Sequence, residues 1–118
     1  MTVTTEAEVV EAIRAAQAPL SLRGGNTRGM AGPGAALSLC GLRGISLYEP
    51  GALTLVAQAG TPLDEIETAL AAEGQRLAFE PMDHRALMGN SGTPTIGGVF
   101  AANVSGPRRL AVGAARDF

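Results

Sequence analysis

Apolar and polar positions along the chain change their period several times, and each change marks an element. Thr5-Glu6-Ala7-Glu8 has the form of a capping box, with Thr5 at the cap and Glu8 reaching back. Val9, Val10, Ile13 and Ala16 then recur at helical spacing. Together they predict an amphipathic helix over residues 6–17, ended by Pro19. Leu20-Ser21-Leu22 reads as a short strand, followed at its carboxyl end by Arg23-Gly24-Gly25-Asn26-Thr27-Arg28-Gly29. Residues 30–34 are loop, and weak alternation at 36–39 and 45–48 predicts two more short strands. Leu53-Thr54-Leu55-Val56-Ala57-Gln58 is nearly continuous in apolarity, which suits a strand covered on both faces.

At Gly60-Thr61-Pro62 the period turns from two to 3.6. Thr61 is expected to cap, Pro62 to take the first helical position, and Asp64 to face the positive end of the helix dipole. Leu63, Ile66 and Leu70 form the apolar stripe of this helix over 62–73, and Gly74 is expected to close it in a left-handed conformation. Burying three such side chains is worth roughly 5–8 kcal/mol against about 1 for a cap, so packing governs this helix. Gln75-Arg76-Leu77-Ala78-Phe79 leads into another predicted short strand. Pro81, Gly89, Gly92 and Pro94 make 80–94 loop, and Thr95 to Gly106 reads as a glycine turn opening a small-residue helix that Pro107 stops.

A chain of 118 residues with 46% apolar content makes at most one globular domain. Sixteen glycines and seven prolines raise the share of loop, and 3% aromatics leave the core to Leu, Val, Ile and Ala. Without a basic field (net charge −2) or base-stacking aromatics, nucleic-acid binding is disfavoured. Cys40, the single cysteine, excludes an internal disulfide and a multi-cysteine metal site, and a reducing, cytoplasmic compartment is the simpler reading. The N-terminus lacks the charge and apolar run of a secretory signal, and no segment reaches the ~20 apolar residues of a membrane span.

The chemistry concentrates in the glycine loop. Adjacent glycines bring bare backbone N–H groups close to a ligand, and successive N–H groups form a concave nest for an anion. Asn26 and Thr27 add short polar groups, and Arg23 and Arg28 add positive charge. The expectation is a phosphate or pyrophosphate loop at the carboxyl end of a strand, where open α/β sheets bind ligands. The other reading is ordinary turn chemistry. The loop has neither the lysine nor the spacing of a nucleoside triphosphate P-loop.

The order of a glycine loop after a strand, a Gly-Thr-Pro-Leu helix start, then Thr-Ile-Gly-Gly followed by Asn-Val-Ser-Gly resembles the FAD-binding domain of the vanillyl-alcohol-oxidase-type (PCMH-type) flavoproteins. Within that family, six segments are similar to the FAD-binding subunit of bacterial glycolate oxidase. They are Tyr48-Glu49-Pro50, Gly60-Thr61-Pro62-Leu63, Glu80-Pro81, Gly97-Gly98, Ser105-Gly106-Pro107-Arg108-Arg109 and Arg116-Asp117-Phe118. The resemblance spans the chain from Ala7 onward. It implies an α+β fold in which FAD lies between two subdomains, with short parallel strands and flanking helices in the first.

The first subdomain would occupy about 1–80, and the flavin loop with the start of the second about 81–118. Arg23, Gly24, Gly25, Asn26 and Thr27 match the pyrophosphate loop; Thr95, Ile96, Gly97, Gly98, Asn103, Ser105 and Gly106 match the second flavin loop, and Gly60 and Pro81 are further candidates for contact. Asn26 lies where some relatives bond flavin covalently through histidine, so the resemblance implies non-covalent FAD. It also implies oxidation of a small-molecule 2-hydroxy acid, partner subunits, peripheral attachment to the inner membrane through those partners, and a chain about three times longer. A truncated or split gene, or a catalytically inactive FAD-binding remnant or interaction module, is the alternative.

No residue is assigned a catalytic role, because in flavoenzymes the cofactor performs the redox step and the protein orients it. His84 reads as an exposed loop histidine rather than a base, for want of a second partner. Asp64, Glu65 and Glu67 read as a solvated helix face, Arg108-Arg109 as an exposed basic pair, and Cys40 as a small core or near-core residue.

Overall fold

The computed structural model describes residues 1–118. In chain order it contains helix α1 (Glu6–Ala15), strands β1 (Leu20–Arg23), β2 (Ala35–Ser38), β3 (Ile45–Glu49) and β4 (Thr54–Ala57), then helices α2 (Leu63–Ala72), α3 (Arg85–Met88), α4 (Ile96–Ala102) and α5 (Arg109–Val112). Two single turns of 3₁₀ helix, Pro50–Ala52 and Ala115–Asp117, complete it. The fold is α+β, as expected.

The strands form two separate pairs. β1 runs parallel to β2, with Leu20 opposite Ala35 and Arg23 opposite Ser38. The N-terminus extends this pair along the far side of β2, where Val3 N donates to Ser38 O at 3.1 Å. β3 and β4 are antiparallel, joined through the Pro50 turn, with an irregularity between Ile45 and Leu47. The two-sided burial expected of residues 53–58 does not occur. Leu53 takes a left-handed conformation (φ 51°) and stands 83% exposed, and Val56 is exposed too. A two-stranded ribbon has no second sheet to cover it.

The capping box forms as read: Glu8 N donates to Thr5 Oγ1 at 3.2 Å, and Thr5 N to Glu8 Oε2 at 3.2 Å. The apolar stripe of α1 nonetheless buries no residue. In α2, Ile66 and Leu70 are buried and Leu63 packs on the core, so packing fixes that helix as its stripe indicates. Gly74 closes it at φ 66°. Its cap differs from the expectation: Pro62 holds the cap position and no side chain caps the helix. The Thr61 hydroxyl is engaged elsewhere, accepting from Gly44 N at 3.0 Å and donating to Gly44 O at 3.2 Å. Thr61 is fully buried, so pairing both polar groups of Gly44 outweighs an exposed cap.

Residues 75–79 do not form the expected strand. The Gln75 side chain bridges β3 and its turn, accepting from the Tyr48 hydroxyl and donating to Pro50 O at 2.9 Å. Leu77 and Phe79 turn into the core instead of pairing with a neighbour. That core joins Phe79, Val99 and Ala115, with Leu63, Leu77 and Ile96 around it. Only 14 residues are buried, and the radius of gyration is 15.1 Å. A compact chain of this length would have about 13.5 Å, so much apolar surface lies open. Cys40 lies exposed, not near the core.

Candidate functional site

The Arg23–Gly29 loop leaves β1 beside its only sheet neighbour and crosses toward the start of α4. Gly25 explains how close it comes: a Cβ there would stand 1.7 Å from Thr93 O and 2.7 Å from Thr93 C. A Cβ on Gly24 would meet Thr95 Oγ1 at 2.9 Å. The two glycines therefore let two backbones pass in contact. The positive φ needed by the turn falls on Asn26 (55°) and Gly29 (65°). Asparagine tolerates that region better than most residues.

Segment 93–98 is fixed from the other side. Leu63 N donates to Pro94 O, Ile96 N to Thr61 O and Gly97 N to Ala59 O, all between 2.8 and 2.9 Å. Thr95 caps α4, its hydroxyl accepting from Gly98 N at 3.3 Å. Asn90, in the preceding loop, donates from Nδ2 to Thr27 O at 2.9 Å. Loops far apart in sequence are thereby locked around one cleft of about 150 Å³. Its wall includes Arg23, Gly24, Gly25, Asn26, Thr27 and Arg28 from the first loop and Thr95, Gly98, Ala101 and Ala102 from the second segment, with Leu22 and Met30 at the margin.

The backbone N–H groups of Gly24, Gly25, Asn26, Thr27 and Arg28 donate to no acceptor in the protein. Such amides are left to water or to a ligand. Here they lie in a half-buried loop lining a concave surface, the arrangement that takes an anion. The side chains reinforce it. Neither Arg23 nor Arg28 forms an ion pair; the three in the protein are Arg43–Glu65, Arg85–Asp83 and Arg116–Asp117. The Nε atoms of both arginines are buried without a partner. Burial lowers the Arg28 guanidinium from its ordinary pKa, and the nearby Asp83 charge partly opposes that.

The other residues picked from the sequence lie elsewhere. Ile96 and Gly97 border a larger cavity of about 640 Å³ between β4, α2 and α4. Gly97 packs on Ala59, where a Cβ would stand 2.7 Å from the carbonyl oxygen; Gly60 packs on Leu39 O, at 2.2 Å. Pro81 and Ser105 pair in an isolated bridge, and Gly106 N donates to Glu80 O at 2.9 Å. Asn103 ends α4 at φ 49° and accepts from Arg116 N at 3.1 Å. His84 occupies the position before α3 without capping it through its side chain, and its ring Nδ1 lies 3.2 Å from Met82 O. Volume alone would favour the larger cavity. However, 13 of its 17 lining residues are apolar and it holds none of the loop residues 23–28, so the smaller cleft carries the chemistry.

Asn90 and Gly92 were not among the sequence-derived site residues, yet Asn90 ties down Thr27, and a Cβ on Gly92 would stand 2.8 Å from Gly25 O. Their Asn-Ser-Gly turn chemistry is the only trace of this in the sequence.

Set against known proteins, the whole chain, residues 1–118, matches the family model described as FAD binding domain. It is 38% identical over 103 residues to glycolate oxidase subunit GlcE of Escherichia coli (strain K12). That alignment covers 85% of this chain and 28% of the relative, so the chain spans under a third of that protein's length. No solved structure matches it. No helix is long and apolar enough to cross a membrane.

Proposed function

The chain belongs to the FAD binding domain family, with FAD as its cofactor, and from that premise we propose that the Arg23–Arg28 nest receives the FAD diphosphate while Thr95 to Ala102 borders the adjoining part of the cofactor. The observation that carries this is the run of N–H groups without a protein acceptor from Gly24 to Arg28, in residues that line a cleft together with two guanidinium groups that form no ion pair. A diphosphate brings acceptor oxygens and negative charge together, and this donor set meets both needs. At about 150 Å³ the cleft is smaller than complete cofactor pockets, so it holds part of the ligand. Asn26, whose carboxamide is no nucleophile, is consistent with non-covalent binding.

Gly60, Pro81, Ile96, Gly97, Asn103, Ser105 and Gly106 hold the second segment in place in this reading. Residues 1–80 form the first lobe of the FAD-binding domain, and 81–118 the flavin loop with the opening of the second.

When bound, FAD supplies the electron acceptor; the chain's own residues bind and orient it. We place the protein as the FAD-binding component of a glycolate-oxidase-like oxidoreductase acting on 2-hydroxy acids, with further subunits as partners. Support comes from the relative, which is itself a subunit of glycolate oxidase. A cytoplasmic setting, with contact to the inner membrane only through partner subunits, belongs to the same reading.

A second reading, of an FAD-binding module without turnover of its own, is favoured by the cleft's composition. Its titratable residues are arginines alone, which suit the binding of a diphosphate.

Titration of the purified chain with FAD, followed by flavin fluorescence and by thermal unfolding, tests the binding claim. Ligand at a hundredfold excess over Kd stabilises by about 2.7 kcal/mol, which appears as a clear rise in Tm. Unchanged fluorescence and Tm at saturating FAD would refute it. Steady 2-hydroxy-acid-dependent dye reduction by this chain would remove the reading without turnover.

A further inference from the structure

The cavity of about 640 Å³ between β4, α2 and α4 holds none of the loop residues 23–28. Leu53, Thr54, Leu55 and Ala57 all line it. Successive strand residues point to opposite faces, so the cavity reaches β4 at its edge as well as at one face. β3 is the only strand beside β4, which leaves the backbone groups along its other side without a partner strand. Such edges are ordinarily guarded by a charged residue or a proline, and Thr54-Leu55-Val56-Ala57 carries neither. Around that edge Leu53, Val56 and Phe100 stay exposed. The whole chain exposes 7412 Å², where a compact chain of 11.9 kDa exposes about 6,000 Å², an excess of about 1,400 Å². A standard interface takes about 800 Å² from each partner, so this surplus is enough for a large, permanent one.

The shape decides what covers it. Two copies related by a two-fold axis set the same patch against itself, and two hollows face to face leave both unfilled. A small molecule fills volume but pairs no strand edge. An extended segment does both, adding to β4 by its backbone and laying alternate apolar side chains in the cavity. Arg76, the one charged residue of the lining, is exposed and forms no ion pair, so a carboxylate on the occupant completes the fit. We propose that the β4 edge and this cavity dock an alternately apolar strand bearing an acidic residue, contributed by the part of a GlcE-like protein that this chain does not cover. That part exists in the relative, of which the chain spans 28%. This rests on the first-lobe reading above and adds to it the surface through which the lobe is completed.

The test mixes the native chain with the longer part of Escherichia coli GlcE outside the alignment, produced as a separate chain. Sedimentation velocity and hydrogen–deuterium exchange follow their association. The two should form a one-to-one complex in which exchange slows in residues 53–57 and 76–79. Leu53→Asp puts a charge at the mouth of the cavity without straining the chain, because Leu53 is 83% exposed and its left-handed φ of 51° suits aspartate. It should weaken the complex about tenfold or more. Arg76→Ala should weaken it about threefold and remove much of its salt dependence. Ile13→Asp, on the exposed stripe of α1 outside the cavity, should match the native chain.

No complex at ~100 µM, or Leu53→Asp binding as tightly as the native chain, would overturn the proposal. Self-association of the native chain with protection of 53–57 would make a second copy the occupant, and protection of those residues by FAD alone would make it the cofactor; either result overturns it. If the GlcE part is insoluble alone, the two are co-expressed with a tag on that part. Recovery of the native chain but not of Leu53→Asp then supports the proposal, and recovery of both or of neither overturns it. FAD titration of the native chain alone decides the FAD reading separately, since the cleft at residues 23–28 lies outside this cavity.

Discussion

Replacing Gly25 by alanine tests how the cleft is built. The added Cβ would stand 1.7 Å from Thr93 O and 2.7 Å from Thr93 C, both backbone atoms that no rotamer change can move aside. Ordinary contact would require the two loops to separate by roughly 1.7 Å. Segment 93–96 resists this, because Pro94 O accepts from Leu63 N and Ile96 N donates to Thr61 O, each at 2.9 Å. Overpacking of this kind costs about 1–3 kcal/mol, and losing one or two of these bonds adds about 1 each. The expected loss is therefore about 3 kcal/mol, large beside the ~5–15 kcal/mol of a typical domain. Urea unfolding followed by far-ultraviolet circular dichroism measures it. Gly51→Ala is the control: nothing lies within 4 Å of the added Cβ, and its midpoint should stay within ~0.5 kcal/mol of native. A Gly25→Ala midpoint equal to the native one would refute the close approach of the loops and the cleft with it.

Thr61→Val should cost about 1–3 kcal/mol in the same assay, because it leaves Gly44 N without its acceptor beside a fully buried side chain, while Gly44 O keeps its bond from Gln58 N at 2.9 Å. Thr5→Ala removes the hydroxyl that accepts from Glu8 N and should cost about 1 kcal/mol, read as lost helix signal and a lower Tm. The hydrogen bonds from Arg85, first through its side chain and then its backbone N–H, lower the Asp83 pKa to about 2. A folded-state pKa below the unfolded value near 3.9 stabilises above that value and is lost as pH falls through about 2. Acid unfolding should thus steepen between about pH 4 and 2, weakly for so exposed a pair, and Asp83→Asn should flatten it.

Local signals carried helices α1 and α2 and the site's first loop, whereas α3 lies in residues 80–94 that read as loop, and α4 ends at Ala102, short of Pro107. The Thr5–Glu8 box needs no distant partner, and the Leu63-Ile66-Leu70 stripe is periodic enough to mark a helix before its partners Phe79, Val99 and Ala115 are known, so both stood in the sequence and in the fold. Arg23–Gly29 was legible as a nest because its residue types bring bare N–H groups together wherever they occur. The reason for its glycines was not legible, since Thr93 lies 68 residues beyond Gly25 and only the fold brings them into contact.

The errors have the same origin. Thr61 has the residue type of a cap, but Gly44 competes for its hydroxyl with two hydrogen bonds from across the chain. Gln75–Phe79 has the composition of a strand, but Gln75 is drawn to Tyr48 and Pro50, and Leu77 and Phe79 are drawn inward. The continuous apolarity of residues 53–57 suggested burial on both faces. Burial requires a covering layer, which a local pattern cannot report, and β4 pairs with β3 alone.

The most direct test of the central claim, one ligand gripped by two distant segments, is hydrogen–deuterium exchange with and without FAD. The amides of Gly24 to Arg28 have no acceptor in the protein and should exchange fast until the ligand supplies one. FAD should slow exchange in residues 24–28 and, in the same experiment, in 95–98. Protection confined to the apolar cavity around Leu55, Leu77 and Phe100, or protection of neither segment, would contradict the account.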